Sequence, residues 1–286
     1  MITTIWVIFL ILAIWIGVVL IRDVIKHRIN LELNSWSKSG VIGFVGNFFD
    51  TLGIGSFATE TAMLKFMKQS EDRLIPGTLN VGNAIPTVVQ AIIFIQIVEV
   101  EPMTLVLMLL ASGFGAILGA GIVSKLAENK IRLTMGIALL ITAGFMVATK
   151  FHWIEGGGEA IGLEGSKLIL AVVVNFILGA LMTAGIGLYA PCMALVFALG
   201  MSPAVAFPIM MGSCAFLMPM ASLKFIKEGA YNRRASLAFA AAGVVGVLIA
   251  AFLVKSLPMD VLRWIVIGVI IYTATVMLRA AIQRSN

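Results

Sequence analysis

The stretch Asp50-Thr51-Leu52-Gly53-Ile54-Gly55-Ser56 has a counterpart in Met182-Thr183-Ala184-Gly185-Ile186-Gly187-Leu188, 132 residues further along a chain of 286. In both, a Gly-Ile-Gly break interrupts a long apolar run, and the same offset aligns Ile75-Pro76 with Phe207-Pro208. Lys125 and Arg132 pair with Lys255 and Arg263 at offsets of 130 and 131, each pair in a short polar gap between two apolar runs. Self-similarity at a fixed spacing marks a duplicated architecture. The chain divides into a leading helix and loop, residues 1–38, a first repeat, 39–150, an external connector, 151–166, and a second repeat, 167–286.

Composition decides the solvent. Sixty per cent of the residues are hydrophobic and 12% are charged, with a mean hydropathy of +1.07. Soluble domains carry about 45–50% apolar and about 25% charged residues, so a soluble globular protein is excluded. A span needs ~20 apolar residues, which leaves room for on the order of nine or ten segments. Residues 5–21 form one apolar run backed by Arg22, Lys26 and Arg28, with no basic region in front and no small-residue cleavage site. That reads as a retained helix and not as a signal peptide.

The predicted class is all-α: a polytopic membrane protein with an N-terminal helix and two inverted repeats, each a re-entrant helical hairpin followed by three transmembrane helices. The inversion rests on charge. If each glycine break is a hairpin tip, the Lys and Arg residues of 22–38, 65–73, 125–132, 224–234 and 279–284 all lie inside, and only Lys150, Lys167, Lys255 and Arg263 lie outside. A full crossing at the first break would move Lys65, Lys68 and Arg73 outside and bring the acidic loop of Glu155, Glu159 and Glu164 in, which the positive-inside rule disfavours. The N-terminus is then outside and the C-terminus cytoplasmic. The net charge of +6 reports this topology and not a nucleic-acid partner.

Residues 57–67 make a helix of only ~16 Å, about half a ~30 Å hydrocarbon core. Backbone that turns inside a membrane must be buried in protein or line a cavity, and inverted repeats with broken helices meeting at midplane are the pattern of alternating-access carriers. The longer spans are expected at 74–98, 103–123 and 131–148, and at 207–223, 235–254 and 261–278. Gly115 and Gly119 stand at small-xxx-small spacing, which suits close helix packing.

The candidate site is the pair of tips. Ser56 is the N-cap candidate of the first short helix, and Pro191 stands near the start of the second, where a missing N–H does no harm. Two half-helix N-termini facing the midplane present free N–H groups and positive dipole ends, a site for an anion. No Lys or Arg lies inside a proposed span away from its ends, so an anion would be held by backbone and neutral donors. The candidate substrate-binding residues are Gly53, Gly55, Ser56, Gly185, Gly187 and Tyr189, with Thr78, Asn80, Asn83 and Ser213 as side-chain donors. For the latter group, plain interhelical hydrogen bonding is the alternative. Pro86, Pro219 and Gln90 mark kinked or wet sections of the same spans.

Asp50 and Glu60 are the acids within the apolar regions. An ionisable group there costs at least ~2.5–3.5 kcal/mol, so each is a candidate for proton coupling. The alternative is that they cap N–H groups at the tip or pair with Lys65. Cys192, one turn past the second tip, could touch a bound sulfur species or simply pack. Cys192 and Cys214 imply no disulfide framework. His27 and His152 lie in loops on opposite sides, no cofactor is expected, and no metal cluster is in view. An anion channel of the same architecture, or a membrane enzyme or partner handling a sulfur metabolite through Cys192 and Cys214, are the competing functions.

The arrangement resembles the TauE/SafE sulfite exporter family, also called the toluene sulfonate uptake permease family. The resemblance is carried by the two Gly-Ile-Gly tips at 53–55 and 185–187, the Ile75-Pro76-Gly77-Thr78 stretch, and the Lys…Arg breaks that close each half. It implies a multi-pass transporter in the cytoplasmic membrane that moves a small anion such as sulfite, thiosulfate or an organosulfonate like sulfoacetate, in membrane lipid. At the first tip the family commonly has a longer glycine run than this chain.

Overall fold

The computed structural model describes residues 2–151, 153, 158–253 and 259–283. Glu155 to Gly157 of the connector, His152, Lys255 and Arg284 fall outside those residues. Among the described residues the chain is all-helical, with one isolated bridge between Ala160 and Met201. In order run α1 (Ile2–Lys26), α2 (Trp36–Thr51), α3 (Ser56–Phe66), α4 (Ile75–Ile97), α5 (Pro102–Val123), α6 (Glu128–Lys150), α7 (Gly165–Met182), α8 (Tyr189–Ala198), α9 (Ala206–Lys227), α10 (Arg233–Leu253) and α11 (Met259–Gln283). Helices α1, α4, α5, α7, α9 and α10 are long and apolar enough to cross a membrane. Their outer faces carry large apolar side chains open to the surroundings, such as Ile14, 67% exposed, and Ile169, also 67%. Such faces suit lipid and not water.

A helix stands at each expected span, with ends displaced by up to five residues, and among the described residues six of the helices are long and apolar enough to cross a membrane. Helix α1 runs five residues past Ile21, carrying Arg22 and Lys26 on its last turns. Its end is tied down by Asp23, whose carboxylate accepts from Arg233 at 2.8 Å and from the Tyr231 hydroxyl at 2.6 Å. Burial and the neighbouring Asp23 push the Tyr231 phenol above its ordinary range. Arg233 also reaches Glu32, so the loop after α1 is fixed to the start of α10.

Both short helices fold back on the helix before them. At the foot of the first hairpin, the Ser35 N–H donates to Gln69 Oε1 at 2.8 Å, joining the start of α2 to the residues after α3. At the foot of the second, Lys167 Nζ donates to the Leu199 carbonyl at 3.2 Å. The two feet are separated by α4, which starts just after the first and ends just before Glu101 beside the second, ~34 Å at ~1.5 Å per residue. The first shares its end with Asp72, which takes Lys65 at 2.5 Å and Arg132 at 2.7 Å, and with the Asp23–Glu32–Arg233 cluster. The second shares its end with Glu101, whose N–H donates to Ile161, and with Ser202, whose N–H donates to Ala160.

Packing is reciprocal between the halves. Helix α2 lies on α10 as α5 lies on α7; α4 meets α10 as α9 meets α5; α3 touches α11 as α8 touches α6; and α4–α9 and α6–α11 pair across the middle. Glycines permit the closest of these approaches. A Cβ at Gly115 or Gly119 would run into the Phe176 or Ala180 carbonyl of α7, and one at Gly246 of α10 into the Phe44 carbonyl of α2. Without a hydrophobic drive between helices in lipid, such backbone contact supplies the association energy.

Candidate functional site

The tips form because glycine sits where the chain must turn through left-handed space. Gly53 has φ +82° and Gly55 φ +92°; in the second tip Gly185 has φ +99°. Gly187, read as an equal partner of Gly55, keeps an ordinary φ. The backbone bonds nonetheless repeat: Gly53 N–H to Asp50 O at 2.9 Å and Ile54 N–H to Phe49 O at 3.1 Å recur as Gly185 to Met182 at 3.0 Å and Ile186 to Leu181 at 3.4 Å.

Ser56 is not the N-cap. Gly55 takes that position and Ser56 opens α3, because the extended, positive-φ backbone at 55 is open to glycine alone. The N–H of Ser56 is taken instead by Asp50 Oδ1 at 2.6 Å. The other oxygen, Oδ2, accepts from the Tyr189 hydroxyl at the start of α8, at 2.9 Å. One carboxyl group thus joins the two tips. Between them lies a cavity of about 30 Å³, lined by Asp50, Gly55, Ser56, Gly187, Tyr189 and Met218 among others. At ~15 Å³ per water, it has room for about two.

A second layer stands behind Asp50. The Tyr189 hydroxyl is also 3.0 Å from Gln90 Oε1 of α4, and Gln90 Nε2 donates to Thr51 Oγ1 at 2.9 Å. The Thr51 hydroxyl donates to the Asn47 carbonyl at 2.8 Å. The Asn47 side chain donates to Asn83 Oδ1 at 2.7 Å and to Glu60 Oε1 at 3.3 Å, and Asn83 Nδ2 donates to Glu60 Oε2 at 2.5 Å. Every member is fully or almost fully buried. Glu60 is therefore held by two amides, caps nothing, and does not pair with Lys65, whose partner is Asp72. Asp50 does cap an N–H.

Of the predicted residues, Asp50, Gly55, Ser56, Gly187 and Tyr189 line the cavity. Asn83 and Glu60 join it through the layer behind. Gly53 and Gly185 shape the turns without lining it. Thr78 is elsewhere: its hydroxyl donates to the Leu74 carbonyl and accepts the Asn232 N–H, locking α4 to the loop before α10. Asn80 donates to Pro76 O within its own helix. Ser213 accepts from Asn175, which also donates to Met108 O, a bond across α5, α7 and α9. Asn47 is the residue that sequence reasoning passed over, a lone amide in an apolar helix being its only signal; Gln90, read as marking a wet section of its span, stands here beside the Tyr189 hydroxyl.

Cys192 and Cys214 are buried free thiols, and Cys214 lies 3.6 Å from the Met182 sulfur. No group of three His, Cys, Asp or Glu side chains gathers among the described residues. At the first hairpin's foot a wider opening, about 610 Å³, is lined by Lys38, Lys65 and Lys68 together with Glu32 and Glu71.

The arrangement brings neutral donors and one carboxyl group from two opposed hairpins around a buried cavity, with no Lys or Arg in its lining among the described residues. No curated protein and no solved structure matches the chain. Residues 2–146 and 168–286 match the family described as Sulfite exporter TauE/SafE. With nearly the whole length covered, the chain belongs to the TauE/SafE sulfite exporter family of membrane transporters.

Proposed function

We propose that the protein is a secondary carrier that moves a small sulfur-containing oxyanion, sulfite, thiosulfate or an organosulfonate, across the cytoplasmic membrane by alternating access, with proton coupling through Asp50 and Glu60. The observation that carries this reading is the meeting of two hairpin tips, rooted at feet separated by the length of α4, on one buried cavity. A site reached from either end by moving one hairpin is what alternating access requires. Membership of a transporter family supports carriage over catalysis.

Reciprocal packing of the helices supports an inverted repeat, with α6 and α11 as the last span of each half. Three crossings per half put the feet of the second hairpin on the side opposite the first. The concentration of basic residues at the first hairpin's end supports a cytoplasmic position for that end, with the N-terminus outside. The anion is held by the Ser56 N–H, the backbone near Gly55 and Gly187, and the Tyr189 hydroxyl. Binding without a fixed cation favours release.

The test is anion flux in proteoliposomes with sulfite, thiosulfate, sulfoacetate, sulfate and chloride, with and without a pH gradient. A saturable, pH-dependent flux of one sulfur oxyanion is expected. Flux that rises linearly with concentration, for every anion alike, would instead mark a channel.

A further inference from the structure

We infer that Asp50 is the empty carrier's own anion: its carboxylate occupies the substrate's position between the hairpin tips, and substrate binds by displacing it. This rests on the reading of the tips as the anion site.

The contacts of Asp50 are those an oxyanion would make. One oxygen takes the first N–H of α3 at 2.6 Å, and the other takes a hydroxyl from the opposite hairpin at 2.9 Å. Among the described residues the lining offers no cation, so the carboxylate is held by neutral donors alone. The Ser56 N–H and the Tyr189 hydroxyl that an oxyanion would use between the tips are both already taken by the carboxylate. Two anions in one low-dielectric cavity would also repel strongly. Occupancy by Asp50 and by substrate is therefore exclusive.

The arrangement answers a difficulty every carrier meets. After release, the bare donors of the two tips must be buried again for the empty protein to return, and unsatisfied buried donors are unfavourable. Asp50, reaching them from the end of α2, satisfies both and draws the tips together.

A proton loosens this hold, and the hydrogens balance in both states. As a carboxylate, Asp50 accepts the phenolic hydrogen of Tyr189. When protonated it donates to the Tyr189 oxygen, and the phenolic hydrogen turns to Gln90 Oε1, 3.0 Å away. Reversing the Gln90 amide would set its oxygen against the Asn47 carbonyl, so the acceptor stays in place. Gln90 is thus a positioning residue. The titratable groups facing Asp50 among the described residues are Glu60 from α3, Tyr189 from α8 and Cys214 from α9, with no Lys or Arg among them. Neutralised, the Asp50 side chain yields the Ser56 N–H to an incoming anion, and proton and anion load together.

The experiment compares net flux with anion–anion counterflow in proteoliposomes, using sulfite, thiosulfate and sulfoacetate, for the wild type, Asp50→Ala and Asp50→Asn. Exchange needs only loaded carriers; net flux needs the empty return. Both variants are expected to keep counterflow within about 3-fold of wild type and to lose net flux by at least about 10-fold. Their half-saturating concentration should no longer vary with pH. Gln90→Leu is expected to move the pH profile of net flux, and an unmoved profile would deny Gln90 its positioning role. Loss of counterflow in parallel with net flux, in variants that elute and melt like wild type, would overturn the assignment, and so would unchanged net flux in both. If Asp50→Ala fails to fold, Asp50→Asn, which retains an acceptor for the Ser56 N–H, decides alone. Wild-type protein without counterflow of any of the three anions would overturn the transport reading itself, and the role of Asp50 with it.

Discussion

Lys68 is the one non-glycine residue with positive φ, at +53°, among the described residues. It closes α3 as Gly200 closes α8 in the second half, where φ is +86° and the same backbone bonds are made: Gln69 N–H to Leu64 O at 3.0 Å, and Met201 N–H to Val196 O at 3.1 Å. A side chain in this conformation is unfavourable by roughly 1–2 kcal/mol, so Lys68→Gly should stabilise by about 1 kcal/mol, read as a higher melting temperature in detergent. An unchanged or lower value would mean that the lysine returns more through its charge at the first hairpin's foot than its backbone loses. Glu101 gives a residue-scale prediction with a pH sign. Its carboxylate caps α5, accepting from Thr104 N–H and Met103 N–H, and those bonds hold its carboxyl below the usual glutamate range, Thr104 first. A lowered value in the folded protein means stabilisation that is complete above the ordinary carboxyl range and disappears as pH falls through the folded value. Glu101→Gln should thus lose about 1 kcal/mol at neutral pH, and the gap to wild type should close below about pH 4; a gap constant with pH would deny the cap its charge. At this scale the sequence disclosed Asp50, Ser56 and Tyr189, because each stands beside a glycine break. It did not disclose Asn47, and it marked Gln90 without its partners Tyr189 and Thr51, since those partners come from other helices. Thr78 and Ser213 misled for the same reason: a polar residue in an apolar run announces a hydrogen bond without naming its partner.

Elements were legible where hydrophobicity alone sets them, and less so at their ends. The apolar runs located the long helices, whereas the ends depend on caps that spacing does not reveal: Glu101 starts α5 one residue early, and Gly55 displaces Ser56 from the N-cap. Helix pairing was visible only through small residues. Gly115 and Gly119 suggested a close contact, and α7 supplies it; nothing in their spacing named α7 as the partner. The contact yields a paired test. Ala is a better helix former than Gly by ~1 kcal/mol, and Gly121 has open space where a Cβ would stand, so Gly121→Ala should raise the melting temperature slightly. At Gly115 the same methyl meets the Phe176 carbonyl, a backbone atom that cannot rotate away. Overpacking of about 1–3 kcal/mol outweighs the propensity gain, and Gly115→Ala should be destabilised or should fail to express. Equal behaviour of the two variants would mean that the α5–α7 approach is looser than the contact implies.

At the scale of the molecule, the choice between a hairpin and a full crossing at the first tip decides the topology of everything after it. Sequence charge favoured the hairpin, but charge bias is a sum over loops and says nothing about any one turn. The bond between Ser35 and Gln69 acts locally: the chain enters and leaves at one foot, so α4 starts from the end where α1 stopped. Counting onward, α5 and α6 return the chain to the far end, where Lys167 and Leu199 form the second foot. Lys68 and Ser202 then mark the two feet, and an inverted arrangement requires them to face opposite compartments. In a protein with Cys192 and Cys214 replaced by Ser, Ser202→Cys should be labelled in intact cells by a maleimide that cannot cross the membrane, and Lys68→Cys only after the cells are opened. Labelling of both from outside would place the feet on one side and make the halves parallel. The reverse order would keep the inversion and turn the molecule over, putting the basic end outside. Because both replaced cysteines are buried, a fully active Cys-free protein would in the same experiment remove the thiols from any part in handling the substrate.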